Sequence, residues 1–236
     1  LYSIRLAQLL HILSIQTLFL IKGKILRKEV ENMSTLYKKN MQTIDLTCTS
    51  KGNSSYLLKV TVSHNEKGII YKVTSVLFAH GWDIEEAVAE TVDGRLVKDV
   101  FIIRNLQGEK MTEQALHQIK AELNSLFYEG MSVIDYLEKS GKDVDSYKQP
   151  FNSTVNLFNP PSIDSTVLDI RTLDRPGLLY EISQLLYLMN VNIISFTAKT
   201  GSREIRDSFL LCTPERDRLT DEECEILKRK LLSVLS

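Results

Sequence analysis

Asp174-Arg175-Pro176-Gly177-Leu178-Leu179 marks the point where one periodicity gives way to another. The residues before it, Thr166 to Leu173, alternate as a strand would. Those after it place Leu178, Leu179, Ile182, Leu185, Leu186 and Met189 on one helical face. Pro176 biases Arg175 away from helical geometry and suits the first helical position. The backbone N–H groups of Gly177, Leu178 and Leu179 are then expected to point at whatever lies above the strand end. Such a helix start attracts a carboxylate or phosphate, and Gly177, lacking Cβ, allows close approach. Asp174, just outside the helix, is placed to take an ammonium group, so one turn offers a partner to each end of a free amino acid. Local sequence alone favours a plainer reading, in which Asp174 caps the helix and Gly177 only packs.

The same turn occurs earlier. A shift of 109 residues lays Gly68-Ile69-Ile70-Tyr71 on Gly177-Leu178-Leu179-Tyr180. The stripe Ile69, Ile70, Val73, Val76, Leu77 falls on Leu178, Leu179, Ile182, Leu185, Leu186. Further on, Asp83-Ile84 meets Asn192-Ile193. With one residue fewer in the intervening turn, Asp99-x-Phe101 matches Asp207-x-Phe209. So long a period indicates two copies of one domain rather than a solenoid.

Each copy reads as a strand (Tyr56–Ser63; Thr166–Leu173), the turn, and a helix stopped at Gly81 or Asn190, residues suited to a left-handed terminus. Two strands follow, at Trp82–Val92 and Arg95–Ile103, then at Val191–Thr200 and Glu204–Thr213. Asp93-Gly94 is a hairpin signal between the first pair. A second helix closes each copy, with the stripe Leu116, Ile119, Leu123, Leu126, Phe127 in the first and Leu227, Leu231, Leu235 in the second. The latter opens on a Thr220/Glu223 capping box. Thr154-Val155-Asn156-Leu157 resembles Thr43-Ile44-Asp45-Leu46, and each supplies a strand before the first. The expected fold is α+β: two ββαββα units, each four antiparallel strands with two helices on one face. The expected domains are 42–128 and 153–236, with a linker over 129–152 carrying a short helix at Ser132–Lys139.

The totals narrow the class. Of 236 residues, 43% are hydrophobic and 25% charged, as in a soluble globular protein. A net charge of −1 recruits neither nucleic acid nor anionic membrane. Cys48, Cys212 and Cys224 are odd in number and scattered, fitting a reducing compartment, and no Cys/His spacing resembles a metal site. The uncharged run Leu6 to Ile21 is short for a membrane span. Leu6, Leu9, Leu10 and Leu13 suit a helix packed on another domain, so residues 1–41 are read as a helical segment and linker. The opening at Leu1 fits a piece of something longer.

A strand, an Asp-Arg-Pro-Gly-Leu-Leu turn, a helix, Asn-x-Ile and then Asp-x-Phe resemble an ACT domain, a ferredoxin-like amino-acid-sensing module. The lead-in Val155-Asn-Leu-Phe-Asn159-x-x-Ser162 is similar to the tandem ACT region ending the bifunctional uridylyltransferase/uridylyl-removing enzyme, which acts on the PII nitrogen-signalling protein. ACT-repeat proteins of plants share much of this pattern. The resemblance spans about 43–236 and is stronger in the second unit. It implies ligand sites at Asp174, Gly177, Leu178, Leu179 and Asn192 in the second unit, and at Asn65, Gly68, Ile69, Ile70 and Asp83 in the first. Because Asn65-Glu66-Lys67 replaces Asp174-Arg175-Pro176, the second site is expected to be the better one and the first altered or structural. The resemblance also implies glutamine as the favoured ligand, upstream catalytic domains as partners, no cofactor, and a cytoplasmic or plastid-stromal location. Open sheet edges are expected to pair, within the chain or between two chains.

Three rivals stand beside this reading. For an enzyme, the chain lacks the His-Asp doublet and the Gly-Ser turn with paired aspartates that the resembled enzyme uses. Asp143 and Asp145 sit in a polar linker and read as solvated, so no catalytic residue is expected. For an RNA-recognition module, Phe101 and Phe209 each stand alone where stacking aromatics would be needed. A ligand-free assembly module, its turns serving only to pack, is the third.

Overall fold

A computed structural model of the chain describes residues 43–92, 96–142, 145–199 and 204–235. The expectations for residues 1–41, for the Asp93-Gly94 hairpin and for Asp143 lie outside the described residues. The first repeat runs β1 (Ile44–Gly52), β2 (Ser55–Val62), α1 (Ile69–Ala79), β3 (Trp82–Val92), β4 (Leu96–Asn105) and α2 (Glu113–Tyr128). A short helix α3 (Val133–Ser140) and a 3-10 turn (Asp145–Tyr147) follow. The second repeat runs β5 (Thr154–Phe158), β6 (Thr166–Leu173), α4 (Leu178–Leu188), β7 (Asn192–Lys199), β8 (Glu204–Cys212) and α5 (Asp221–Leu235). Among the described residues no helix is long and apolar enough to cross a membrane.

The strands form because their apolar residues alternate. On β2, Leu58, Val60 and Val62 are buried while Lys59 is exposed. On β8, Ile205, Asp207, Phe209 and Leu211 share the buried face. Phe101 and Phe209 lie in this core, fully enclosed, which removes both from any role as a stacking platform. β1 runs on to Gly52, beyond the stretch Thr43–Leu46 read from sequence, and turns into β2 through Asn53 and Ser54, both at positive φ.

The two four-stranded sheets are not separate. All eight strands make one antiparallel sheet in the order β1-β2-β4-β3-β7-β8-β6-β5, joined where β3 pairs with β7. The expected pairing of open edges thus occurs within the chain. The junction keeps the 109-residue offset as a local two-fold: Val88 faces Thr197, and Ala87 faces Ala198 as Ala89 faces Phe196. Above it α1 packs on α4 with the same symmetry. Thr74 Oγ1 lies 3.2 Å from Ser183 Oγ, Tyr71 stacks on Tyr180, and the swapped pairs Tyr71–Tyr187 and Phe78–Tyr180 flank them. Such a seam is isologous, each half presenting the same patch.

Helix ends follow their sequence signals, with one exception. The Thr220 N–H donates to Glu223 and the Glu223 N–H to Thr220 Oγ1, a reciprocal capping box. Asn190 adopts φ 61°, and the Asn190 and Val191 amides donate to the Tyr187 and Leu186 carbonyls, closing α4 in a Schellman turn. The exception is the start of α4. Pro176 is not its first residue; Gly177 is the N-cap, at φ 79°, with no side-chain cap. Gly68 begins α1 in the same way at φ 85°. An αL glycine reverses the chain above the strand end, which a proline at the first helical position does not.

Candidate functional site

Two cavities lie at the seam, related by the same offset. The residues expected to form a site within each repeat are instead crossed between repeats. Asn65, Gly68, Ile69 and Ile70 from the first turn meet Asn192 at the start of β7. Asp174, Gly177, Leu178 and Leu179 from the second turn meet Asp83 at the start of β3. This corrects the assignment of Asn192 to the second turn and of Asp83 to the first. The cause is the β3–β7 junction, which carries each strand's first residues beneath the other repeat's turn.

The two cavities differ in size and charge. The one at the first turn has a volume of about 280 Å³. The one at the second turn holds about 30 Å³, room for a water or so. Part of the difference is legible in the lining: Trp82 borders the smaller cavity where its counterpart Val191 borders the larger. The larger space thus lies at the first turn, not at the second, where the better site was expected.

Charge points the same way. Asp83, Asp174 and Asp207 all line the smaller cavity, with Arg175. Burial, reinforced by the Asp174 carboxylate, pushes the Asp83 carboxyl up to about 6. Burial also lifts Asp207 to about 7, partly offset by the Lys199 amide that donates to it and raised further by Asp174. A second carboxylate brought here by a ligand would meet like charge. The larger cavity is lined by neutral Asn65 and Asn192 at the equivalent places, and balances Glu66 and Asp99 with Lys67 and Arg216. Lys67 donates to Asn190 Oδ1 at 2.6 Å and lies over the Tyr187 ring.

The backbone donors are fewer than expected. The Leu178 N–H donates to the Arg175 carbonyl at 3.2 Å, so the second turn does not present three free amides. Gly177 fills the N-cap position, so this helix does not begin with Asp174 as its cap.

Gly68 lines the larger cavity where Tyr187 comes close to the backbone. A Cβ there would lie 2.6 Å from Tyr187 Cδ2, and φ is 85°. Tyr187 cannot swing aside freely, since it packs on Tyr71 and beneath Lys67. Gly68→Ala is expected to cost about 1–3 kcal/mol, from left-handed strain and the collision together. Urea unfolding of the variant measures it, and a midpoint equal to wild type would refute the constraint.

The residue most informative about this cavity is one the sequence reading noted only as part of a repeat: Asp99, which lines it from β4. The signal was an acid in phase with Val97, Phe101 and Ile103, all on the buried face.

No family model matches the chain. Curated relatives do. A bifunctional uridylyltransferase/uridylyl-removing enzyme of Idiomarina loihiensis is 27% identical over 186 residues, 74% of this chain and 20% of its own. The ACT domain-containing proteins ACR3 and ACR5 of Arabidopsis thaliana are each 30% identical, over 75% and 72% of this chain and 35% and 34% of theirs. The chain thus spans about a fifth of the first relative and a third of the plant ones. Among solved structures, aspartate kinase from Synechocystis aligns over 76% of this chain and 27% of its own, with a TM-score of 0.41 and 14% identity, too distant to carry an argument. The paired repeats, the glycine turns and these relatives together make this chain a tandem ACT-domain protein, distantly related to the uridylyltransferase/uridylyl-removing enzymes and to the plant ACT proteins.

Proposed function

We propose that this chain is a regulatory module that binds a free amino acid in the 280 Å³ cavity at the first turn. The observation that carries this is the cavity's place. It opens at the seam between repeats, under the amino end of α1, and is lined by both halves of the chain. A ligand held there touches two domains, so its binding free energy depends on how they are arranged, which is what coupling requires. The smaller cavity, with little room and three carboxyls, serves packing in this reading.

Glutamine is the favoured ligand, by the likeness to the uridylyltransferase relatives, and nitrogen metabolism is the setting that likeness suggests. The two ACT domains would span 42–128 and 153–236 with a linker over 129–152. The target of regulation would be a catalytic domain or partner in the cytoplasm or a plastid stroma, with no catalysis in these repeats.

An amino acid has about ten heavy atoms, which limits affinity to the micromolar-to-millimolar range. Titration calorimetry and thermal shift against the twenty common amino acids test the reading. A binder at a hundredfold excess over its Kd is expected to add about 2.7 kcal/mol of stability. No heat and no shift from any of the twenty would overturn it.

A further inference from the structure

Asp99 sits in the middle of β4, opposite Val60 on one side and Ala89 on the other. It is 1% exposed, and among the described residues neither carboxyl oxygen has a hydrogen-bond partner. Buried polar groups are almost always partnered, and a carboxyl left without one is a standing cost to the fold. Its counterpart, Asp207, has found a partner in the Lys199 amide. Asp99 has not, yet it borders the only one of the two seam cavities with room for a metabolite. Burial pushes its carboxyl up to about 8, as desolvation without a partner does.

We propose that Asp99 receives the ammonium group of the ligand, so that the larger cavity takes small molecules carrying a free amine beside a carboxylate and rejects their deaminated and N-acylated counterparts. This rests on the amino-acid reading of that cavity and narrows it. An ammonium at Asp99 would make a charge-assisted hydrogen bond in a dry site, where it is strongest. The same cavity carries Arg216, Lys67 and the amino end of α1, suited to a carboxylate, beside a Glu66 that already pairs with Lys72. The ligand's two charges are thus met by groups of opposite sign. In the smaller cavity the three carboxyls meet Arg175 alone, and it is already paired with Glu181.

The test uses the full chain. L-Glutamine and the other nineteen amino acids are titrated by calorimetry. Each binder is then compared with its deaminated form (glutaramate for glutamine) and its N-acetyl form. The strongest binder is next titrated into Asp99→Asn and Asp99→Leu. Losing one partner of a buried charged pair should weaken binding on the order of a hundredfold. The analogues should fail on the wild-type protein, while Asp99→Leu melts at or above the wild-type temperature, since an unpartnered buried polar group has been removed. A deaminated analogue binding as tightly as its parent, or Asp99→Asn binding as wild type, overturns the role of Asp99 and leaves the amino-acid site standing. If none of the twenty binds, both readings fall. The analogue series needs no variant, so a misfolded variant does not spare the proposal.

Discussion

Arg175→Met is expected to lower stability by about 3–5 kcal/mol, although the residue lines the smaller of the two cavities. Arg175 is 8% exposed and its side chain pairs with Glu181, which is equally enclosed. Arg175 Nη2 also donates to the Val234 carbonyl at 3.3 Å, tying the turn to α5. Lys148, from the segment between repeats, reaches the same Glu181 at 3.1 Å. Removing the guanidinium strands a buried carboxylate against one half-solvated lysine and leaves a helix-end carbonyl without its donor. The double replacement Arg175→Met with Glu181→Leu should recover most of the loss, because neither charge then has to be desolvated. Arg171→Ala is the control. Its pair with Glu204 is half exposed and should matter by less than about 1 kcal/mol. Urea unfolding of the four proteins decides it: Arg175→Met no worse than Arg171→Ala would show that the buried pair does not hold the turn.

How much of this was legible beforehand follows from what periodicity can report. The repeats, the strand phases and the left-handed helix ends were readable because each is a local preference: Gly81 and Asn190 for the residue that ends a helix, Thr220 with Glu223 for the box. The alternation along β3 and β7 shows which residues face the helices. It cannot show that the two edges meet, because any exposed antiparallel edge is a competent partner. From that unseen contact came the crossed sites. Trp82 and Val191 were visible as unlike residues at equivalent places, but the difference gained meaning only once Trp82 was found beneath the second turn. Asp99 was passed over because Asp-x-Phe recurs in both repeats and so looked architectural. Only the structure shows Asp207 partnered and Asp99 not.

The stability of the chain is expected to fall as pH rises from about 4 to about 8, the reverse of the neutral optimum common among globular proteins. Three acids have folded-state values above their ordinary 3.8: Asp83 at about 6, Asp207 at about 7 and Asp99 at about 8. An acid so raised holds its proton more tightly folded than unfolded. Above pH 4 the unfolded chain therefore binds fewer protons, and the slope of unfolding free energy against pH is negative. The contribution is full below the unfolded value and gone once pH passes the folded one. Each group adds at most about 1.4 kcal/mol per pH unit. All three act together between about 4 and 6, Asp207 and Asp99 on to about 7, and Asp99 alone beyond. Coupling among Asp83, Asp207 and Asp174 shares protons within that cluster, so the commitment is to a fall of at least one group's worth, about 1.4 kcal/mol per unit, over pH 4–6. Denaturant titrations from pH 4 to 9 measure it, and a maximum near neutrality would contradict it. Asp99→Asn should erase the segment from about 7 to about 8 and reduce the slope below it by one group's share, while the contributions of Asp83 and Asp207 persist because those carboxyls line the other cavity. A ligand whose ammonium sits on Asp99 should flatten that same upper segment, since the bound cation keeps the carboxylate ionised and removes its penalty. Flattening confined to pH 4–6 would instead place the ligand with Asp83 and Asp174, at the second turn.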